Sequence, residues 1–212
     1  MTTAKYGKLT AGLIVAWFIV SLTTSALHVF QTDTSRPPLP LGLAVVIPIG
    51  LFLIWFAASK GFRQFVSNLN PRTLTLVHSW RLAGFAFLAL YSYGILPGLL
   101  ALPAGWGDIA IGASAPFVAM LLANPGHRRS FIFWQVLGIL DLVLAMTLGT
   151  SARLIEPHGI TTSAMLVLPM SLIPTFAVPL LLILHIICIA QAQRWPEQRY
   201  AGVPKQVPSS AV

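Results

Sequence analysis

Long apolar runs alternate with short polar breaks along this chain, and each run is long enough to cross a lipid bilayer. About 20 consecutive apolar residues form a helix that spans the hydrocarbon core. The breaks carry the proline, glycine and asparagine residues that are typical of turns. The pattern therefore predicts an all-α polytopic membrane protein with six transmembrane helices, over residues 8–30, 41–59, 73–97, 105–123, 131–150 and 163–190.

Proline marks several of the predicted helix ends. Asn70 followed by Pro71 is a favourable helix start, because asparagine is a good N-cap and proline fits the first helical position. The segment from Leu102 to Gly105 contains Pro103 and is interpreted as a break, so the fourth helix is predicted to begin at Gly105.

The last apolar run contains three prolines spaced five residues apart, at Pro169, Pro174 and Pro179. Each proline removes a backbone N–H and predicts a kink in the helix. Broken helices of this kind form binding sites in some transporters, whereas in many membrane proteins they only shape helix packing. The sequence leaves both interpretations open.

The first apolar run follows a basic start that contains Lys5 and Lys8, an arrangement that also occurs in cleaved signal peptides. The run from Leu9 to Val29 is longer than the apolar region of a typical signal peptide, which has about 7 to 15 residues. We therefore interpret it as a retained transmembrane helix. Residues 1–192 are assigned to one six-helix domain, and residues 193–212 are predicted to form a flexible cytoplasmic tail.

Basic residues are concentrated at alternate ends of the predicted helices, which indicates the orientation of the chain. Cytoplasmic loops of membrane proteins carry an excess of lysine and arginine. This rule places both termini in the cytoplasm. On that side lie Lys5, Lys8, Lys60, Arg63, Arg72, Arg128, Arg129, Arg194, Arg199 and Lys205, and on the opposite side lie only Arg36 and Arg153.

The composition excludes a soluble protein and gives no support to nucleic-acid binding. Hydrophobic residues make up 56% of the chain and charged residues only 8%, whereas soluble domains carry about 25% charged residues. The net charge of +8 is spread over loop ends and is not gathered in one basic stripe. The partner that these features predict is the lipid bilayer.

The sequence contains no recognisable catalytic or metal-binding motif. Ser-His-Asp, paired-carboxylate, HExxH, phosphate-loop and CxxC patterns are all missing from it. Its one cysteine, Cys188, lies inside the last apolar run and cannot form a disulfide framework. Enzymatic activity therefore has no support at the sequence level.

Two aspartates lie inside apolar runs, each beside a stripe of small residues. Small residues mark the faces on which membrane helices pack closely, so both carboxyl groups are predicted to point into the bundle. The fourth predicted helix carries Gly105, Gly112, Ala115, Ala119 and Ala123 beside Asp108, and the fifth carries Gly138, Ala145 and Gly149 beside Asp141.

Depth along the predicted helices suggests which charged groups meet. At a rise of about 1.5 Å per residue, Arg81 lies about 12 Å from the cytoplasmic end of the third helix, and Asp141 lies about 15 Å along the fifth. We therefore predict an ion pair between Arg81 and Asp141. Asp108 is placed about 10 Å further out, near the outer end of the fourth helix, where His28 is its nearest titratable neighbour.

This polar interior has two interpretations. Ionisable residues inside the membrane commonly serve ion or substrate pathways, which predicts a small permease or proton-coupled carrier for a small solute. In it, Asp141 or Asp108 would exchange protons and Arg81 would supply a counter-charge or bind an anion. Buried ion pairs can also be purely structural, which would suit a non-catalytic accessory subunit of a larger membrane complex.

Two histidines raise the alternative of a membrane redox protein that binds haem b. His78 precedes Arg81 by one helical turn, and His185 lies at about the same depth in the last helix, roughly 7 Å from the cytoplasmic side. Two imidazoles at one depth are suitable axial ligands for a haem iron. In that case Gly84 would leave room for the macrocycle, and Arg81 would lie near a propionate.

Three segments resemble parts of uncharacterised bacterial multispan membrane proteins. They are Arg81-Leu82-Ala83-Gly84-Phe85-Ala86-Phe87-Leu88, Leu102-Pro103-Ala104-Gly105-Trp106-Gly107-Asp108 and Leu137-Gly138-Ile139-Leu140-Asp141-Leu142-Val143. The resemblance covers about the middle third of the chain and implies a location in the bacterial inner membrane. It carries no activity. The six-span haem proteins of the ferric-reductase type carry two histidines on one helix, a pattern from which this chain departs.

Overall fold

A computed structural model describes residues 3–31, 39–155 and 159–196, and within these ranges the chain forms helices and turns without any strand. The described residues contain six helices that are long and apolar enough to cross a membrane, which confirms the predicted all-α, six-helix architecture. These spans are Ala4–Ala26, Leu39–Ala58, Pro71–Ser92, Gly98–Leu122, Pro125–Ala152 and Ile173–Gln193. Of the predicted tail, residues 197–212 lie outside the described ranges, as does Arg36.

Several spans contain segments that depart from regular α-helix. The third span consists of an α-helix over Pro71–Val77, a 3₁₀ helix over His78–Gly84 and an α-helix over Phe85–Ser92. The fourth ends in a π-helical turn, and the sixth begins with one. The bounds are Gly98–Phe117 and Val118–Leu122 for the fourth span, Pro125–His127 and Arg128–Ile155 for the fifth, and Ile173–Ala177 and Val178–Gln193 for the sixth.

A short helix that the sequence analysis did not predict, Lys60–Ser67, connects the second and third spans. The hydroxyl of Ser59 caps its first turn by accepting a hydrogen bond from the backbone N–H of Phe62 at 3.2 Å. Phe62 and Val66 are buried in an apolar cluster that includes residues of the sixth span. The Gln191 side chain of the sixth span donates a 2.8 Å hydrogen bond to the Val66 carbonyl, which fixes this helix to the bundle.

The fourth span begins at Gly98 and not at Gly105, so the predicted break around Pro103 is wrong. Pro97 has extended backbone angles and precedes the helix, whereas Pro103 lies inside it. Membrane helices tolerate an internal proline because neighbouring helices and local adjustments satisfy the freed carbonyl. The earlier start places the residues in the first half of this span, including Asp108, further from its beginning than the predicted start at Gly105 did.

The sixth span also differs from the prediction, because it begins at Ile173 and not at residue 163. Pro169 lies before the span, Pro174 lies in its π-helical turn, and Pro179 lies in the first turn of its regular α-helix. The predicted kink at Pro169 inside a helix is therefore wrong.

The first span is attached to the sixth through a carbonyl that proline leaves free. Pro179 has no N–H to donate to the carbonyl of Thr175, four residues earlier. That carbonyl instead accepts hydrogen bonds from Trp17 Nε1 at 3.2 Å and from Ser21 Oγ at 3.3 Å. The broken helix therefore has a packing role at this position.

The third to sixth spans form the centre of the molecule, and the first two lie at its edge. Half of the most apolar stretch of the sixth span is buried, against 6% of the corresponding stretch of the second. Many large apolar side chains of the first two spans are exposed, which is compatible with contact to the bilayer. The polar interior therefore has to be sought among the last four spans.

Candidate functional site

The 3₁₀ segment of the third span brings one line of side chains into the bundle. In a 3₁₀ helix the side chains at positions i and i+3 eclipse each other. The buried residues of this segment follow that period and are His78, Arg81 and Gly84. The local backbone thus points an imidazole and a guanidinium into the same interior.

Arg81 holds two carboxylates from two neighbouring spans. Its Nε donates a 2.6 Å hydrogen bond to Oδ1 of Asp108, and its Nη2 is paired with Oδ2 of Asp141. Its Nη1 also donates to the carbonyl oxygen of Gly138 at 3.2 Å. The arginine side chain is 1% exposed, and the two carboxylates are 17% and 15% exposed. We call Arg81, Asp108 and Asp141 the charged triad, and its Arg81–Asp141 pair confirms the predicted ion pair.

The expectation that Asp108 lies too far out to meet Arg81, with His28 as its neighbour, is wrong. Asp108 is in direct contact with Arg81. His28 is exposed and follows the end of the first helix, where it adopts a positive φ of 57°. The error follows from the start of the fourth span, because a helix that begins at Gly98 places Asp108 at mid-depth.

Two glycines provide the space in which the interior side chains sit. A Cβ atom at Gly107 would overlap the carboxylate of Asp141, and a Cβ atom at Gly138 would overlap the ring of His185. The small-residue faces of the fourth and fifth spans therefore lie where helices meet. On the fourth span, the predicted stripe is buried at Gly105, Gly112, Ala115, Ala119 and Ala123.

The two interior histidines lie against each other on the side of the triad that faces the start of the third span. The rings of His78 and His185 stack with centroids 3.8 Å apart and an interplanar angle of 22°. Nδ1 of His185 lies 2.5 Å from Oε1 of Gln135, whose Nε2 donates to Oγ1 of Thr75 at 3.4 Å. All four side chains are fully buried. The sequence predicted that the two histidines lie at the same depth. It did not indicate that Gln135 and Thr75 belong to the same interior.

This arrangement does not fit a haem ligated by His78 and His185. An iron with one axial nitrogen from each ring has to lie between the rings, and rings stacked at 3.8 Å leave no space for a macrocycle. The room expected at Gly84 is also filled, because a Cβ atom there would come within 2.6 Å of the Asp108 side chain. Among the described residues, no group of three or more histidine, cysteine or acidic side chains is placed to hold a metal ion.

A partly open cavity adjoins the triad between the third and sixth spans. It has about 50 Å³ of space that a water-sized sphere can occupy, and it reaches both Arg81 and Asp108. The rest of its wall is apolar or aromatic, with Trp80 and Phe87 on the third span and Val178 on the sixth. The size of the cavity is well below that of small-molecule sites, which have roughly 300–1,000 Å³.

A family model for a domain of unknown function, DUF8737, matches residues 37–192. The chain belongs to the DUF8737 family. The matched range contains the second to sixth spans, and with them the charged triad, the stacked histidines and the cavity. No curated protein and no solved structure matches the chain.

The DUF8737 structure brings together five of the six residues that the sequence analysis selected and leaves one apart. Arg81, Asp108, Asp141, His78 and His185 form one continuous interior, whereas His28 stands outside it. The residues that were missed are Gln135 and Thr75. A glutamine in a run of apolar residues was the available signal for Gln135, because a polar amide inside the membrane needs partners.

Proposed function

We propose that the DUF8737 chain is a small proton-coupled carrier and that the charged triad is its exchange site. The observation that carries this proposal is the imbalance of charge around Arg81: one guanidinium faces the two carboxylates of Asp108 and Asp141. With both carboxylates ionised, the cluster has one negative charge in excess. Unpaired charge inside a membrane is costly, so a proton or another cation is expected to balance the cluster.

Arg81 serves as a counter-charge in this proposal, and we do not assign it an anion-binding role. Three of its nitrogen atoms already donate to protein oxygens, two of which are carboxylates. The Arg81 side chain is also only 1% exposed, so a transported anion could reach it only after the cluster had opened. Exchange of a proton on Asp108 or Asp141 requires no such opening.

The stacked histidines extend the polar interior from the triad toward the side that we predict to be cytoplasmic. Nε2 of His185 and both ring nitrogens of His78 are buried without a hydrogen-bond partner among the described residues. Such nitrogens can accept and release protons, and chains of aspartate and histidine form proton relays in membrane pumps. We therefore assign His78 and His185 to the proton route between the triad and the cytoplasm.

Irregular helix segments flank the proposed site on two sides. The 3₁₀ segment His78–Gly84 carries Arg81, and the π-helical turn Ile173–Ala177 contributes Ile173 and Ala177 to the cavity next to it. Segments of this kind mark hinges and functional sites in many helices. Their position supports a site that changes shape during a transport cycle.

We propose the bacterial inner membrane as the location of this carrier, with both termini in the cytoplasm. The orientation rests on the distribution of lysine and arginine between the two sides of the spans. The location rests on the resemblance of the triad-bearing segments to bacterial multispan proteins.

The decisive experiment follows the proton at the triad directly. Infrared difference spectra of the purified protein at stepped pH are expected to show the C=O band of a protonated carboxyl group that appears and disappears. Asp108→Asn and Asp141→Asn should remove or shift this band. Bands of the other acidic residues, Asp33, Glu156 and Glu197, should be the same in these variants as in the parent chain. Thr147→Ala, whose hydroxyl bonds to a carbonyl of its own helix, serves as the control.

A transport readout accompanies the spectra. In proteoliposomes that contain a pH-sensitive dye, a potassium diffusion potential is expected to drive proton flux above the level of protein-free vesicles. Asp141→Asn should remove this flux and Thr147→Ala should keep it. If neither Asp108→Asn nor Asp141→Asn changes the titrating carboxyl bands, and the flux equals that of empty vesicles, the triad only fixes helix register and the carrier proposal is wrong.

A further inference from the structure

We propose that Gln135 fixes the proton of the neutral His185 ring on Nδ1 and thereby leaves Nε2 as the nitrogen that takes up a proton during transport. In this role Gln135 is a positioning residue of the proton route, because it acts through His185. The inference rests on the proposed carrier function and names a residue that controls how His185 exchanges protons.

The orientation of the Gln135 amide is set by Thr75. The Thr75 hydroxyl donates a 2.8 Å hydrogen bond to the carbonyl oxygen of Pro71, one turn earlier in the third span. A hydroxyl has only one proton, so the Thr75 oxygen accepts a hydrogen bond from Nε2 of Gln135, which lies 3.4 Å away. The amide nitrogen of Gln135 therefore faces Thr75, and its oxygen faces His185.

The amide oxygen of Gln135 decides which nitrogen of His185 carries the proton. This oxygen lies 2.5 Å from Nδ1 of His185 and can only accept a hydrogen bond, so Nδ1 has to be the donor. In the other tautomer two lone pairs would face each other, and the Nε2–H group would be buried without an acceptor among the described residues. A buried donor without a partner carries its full desolvation penalty. The tautomer with the proton on Nδ1 is therefore the favoured one.

The free nitrogen of His185 lies beside a residue that is bonded to the charged triad. A Cβ atom at Gly138 would overlap the Cε1–Nε2 edge of the ring, and the carbonyl oxygen of Gly138 accepts a 3.2 Å hydrogen bond from Arg81. Gln135, Gly138 and Asp141 follow one another at intervals of three residues, so they share one face of the fifth span. The ring is thus held through Nδ1 at Gln135, and its Nε2 lies one turn nearer to the triad.

A fixed proton on Nδ1 makes His185 a one-sided proton acceptor. A proton that reaches the ring forms an N–H bond at Nε2 and leaves when that same bond breaks, because the Nδ1 proton stays donated to Gln135. The ring of His78, stacked at 3.8 Å, has no hydrogen-bond partner on either nitrogen among the described residues. His78 can therefore take up a proton at one nitrogen and release one from the other, whereas His185 stores a proton and returns it.

Nitrogen NMR of the protein in lipid bilayers tests the tautomer, because the chemical shift of an imidazole nitrogen shows whether it carries a proton. Only the histidines are labelled with the nitrogen isotope, and the signals that disappear in His185→Gln are assigned to His185. In the parent chain we expect a neutral His185 ring with a protonated Nδ1 and an unprotonated Nε2.

Three variants test what fixes the proton. Gln135→Leu removes the acceptor, so the proton should be shared between both nitrogens of His185. Gln135→Glu keeps an oxygen acceptor and should retain the proton on Nδ1. Thr75→Val keeps the shape of the side chain, frees the Gln135 amide to turn and should weaken the preference. Thr147→Val is the matched control, because the exposed Thr147 hydroxyl bonds to a carbonyl of its own helix.

Proton flux in proteoliposomes links the tautomer to transport. Gln135→Leu should lower the flux about tenfold or more, since a correctly placed acid or base contributes roughly 10²–10⁴-fold to a proton transfer. The infrared bands of Asp108 and Asp141 should stay as in the parent chain, because both carboxylates are bonded to Arg81 and not to Gln135. Gln135→Glu should recover part of the flux.

The possible results separate this inference from the carrier proposal. A proton on Nε2 of His185 in the parent chain, or the same tautomer in Gln135→Leu as in the parent, would overturn the role of Gln135. Normal flux in Gln135→Leu would also overturn it, while the carrier proposal would stand. If Gln135→Leu changes the tautomer but the parent chain moves no protons, Gln135 does fix the His185 ring and the carrier proposal is wrong.

Discussion

Each charged side chain of the interior depends on a neighbour that has almost no side chain of its own. The Asp141 carboxylate that pairs with Arg81 occupies the space that a side chain at Gly107 would fill. Arg81 also donates a hydrogen bond to the carbonyl oxygen of Gly138. A membrane helix interface gains close contact from such small residues. At Gly107 the size of a single methyl group therefore decides whether the triad can form.

Gly107→Ala tests this requirement. The added Cβ atom would overlap the Asp141 carboxylate, so we expect the free energy of unfolding in detergent to fall by about 1–3 kcal/mol, the usual range for overpacking. Gly50→Ala is the matched control, because a Cβ atom there has no neighbour within 4 Å. Equal stability of the two variants would show that Asp141 does not occupy this position.

At the scale of helices, two irregularities have different roles. The 3₁₀ segment of the third span places His78 and Arg81 on one line, whereas the proline in the sixth span frees the carbonyl that holds the first span. The first is part of the proposed site, and the second is part of the packing. Both depend on hydrogen bonds that a regular α-helix would arrange differently.

Pro179→Ala tests how the first span is attached. Alanine restores a backbone N–H that can bond to the Thr175 carbonyl, so the hydrogen bonds from Trp17 and Ser21 should become less important. In the parent chain, Trp17→Phe combined with Ser21→Ala should lower the free energy of unfolding by about 1–3 kcal/mol, from about 0.5–1.5 kcal/mol for each of the two bonds.

In the Pro179→Ala background, the same pair of substitutions should have a clearly smaller effect, because the carbonyl then has another donor. Thr24→Ala is the control, since the Thr24 hydroxyl bonds to carbonyls of its own helix. An equal loss of stability in the parent chain and in Pro179→Ala would show that the Thr175 carbonyl does not hold the first span to the sixth.

At the scale of the whole molecule, the basic residues predict the orientation of the six described spans. With Cys188, which is fully buried, replaced by Ala, single cysteines report the side of the membrane. Lys60→Cys should react with a membrane-impermeant thiol reagent only in opened cells, and Tyr93→Cys should react in intact cells. Both positions are exposed: Lys60 begins the short helix between the second and third spans, and Tyr93 directly follows the other end of the third span. The reverse labelling would invert the predicted topology.

The sequence by itself was sufficient for the features that depend on composition along one segment. Apolar runs of bilayer length determine the six spans, since each span must satisfy its own backbone inside lipid. Depth along the third and fifth spans was also enough to predict that Arg81 meets Asp141. The depths of these two residues still match when a predicted helix end is wrong by up to one turn.

Only the tertiary structure decided which side chains from different helices come into contact. Asp108 joins Arg81 because neighbouring helices allow the fourth span to continue through Pro103, and nothing local to that segment encodes their presence. The stacking of His78 on His185 excludes a haem between them, and it depends on how the third and sixth spans are rotated about their axes. Rotation is set by packing between helices, whereas hydropathy along one helix reports only its length and depth.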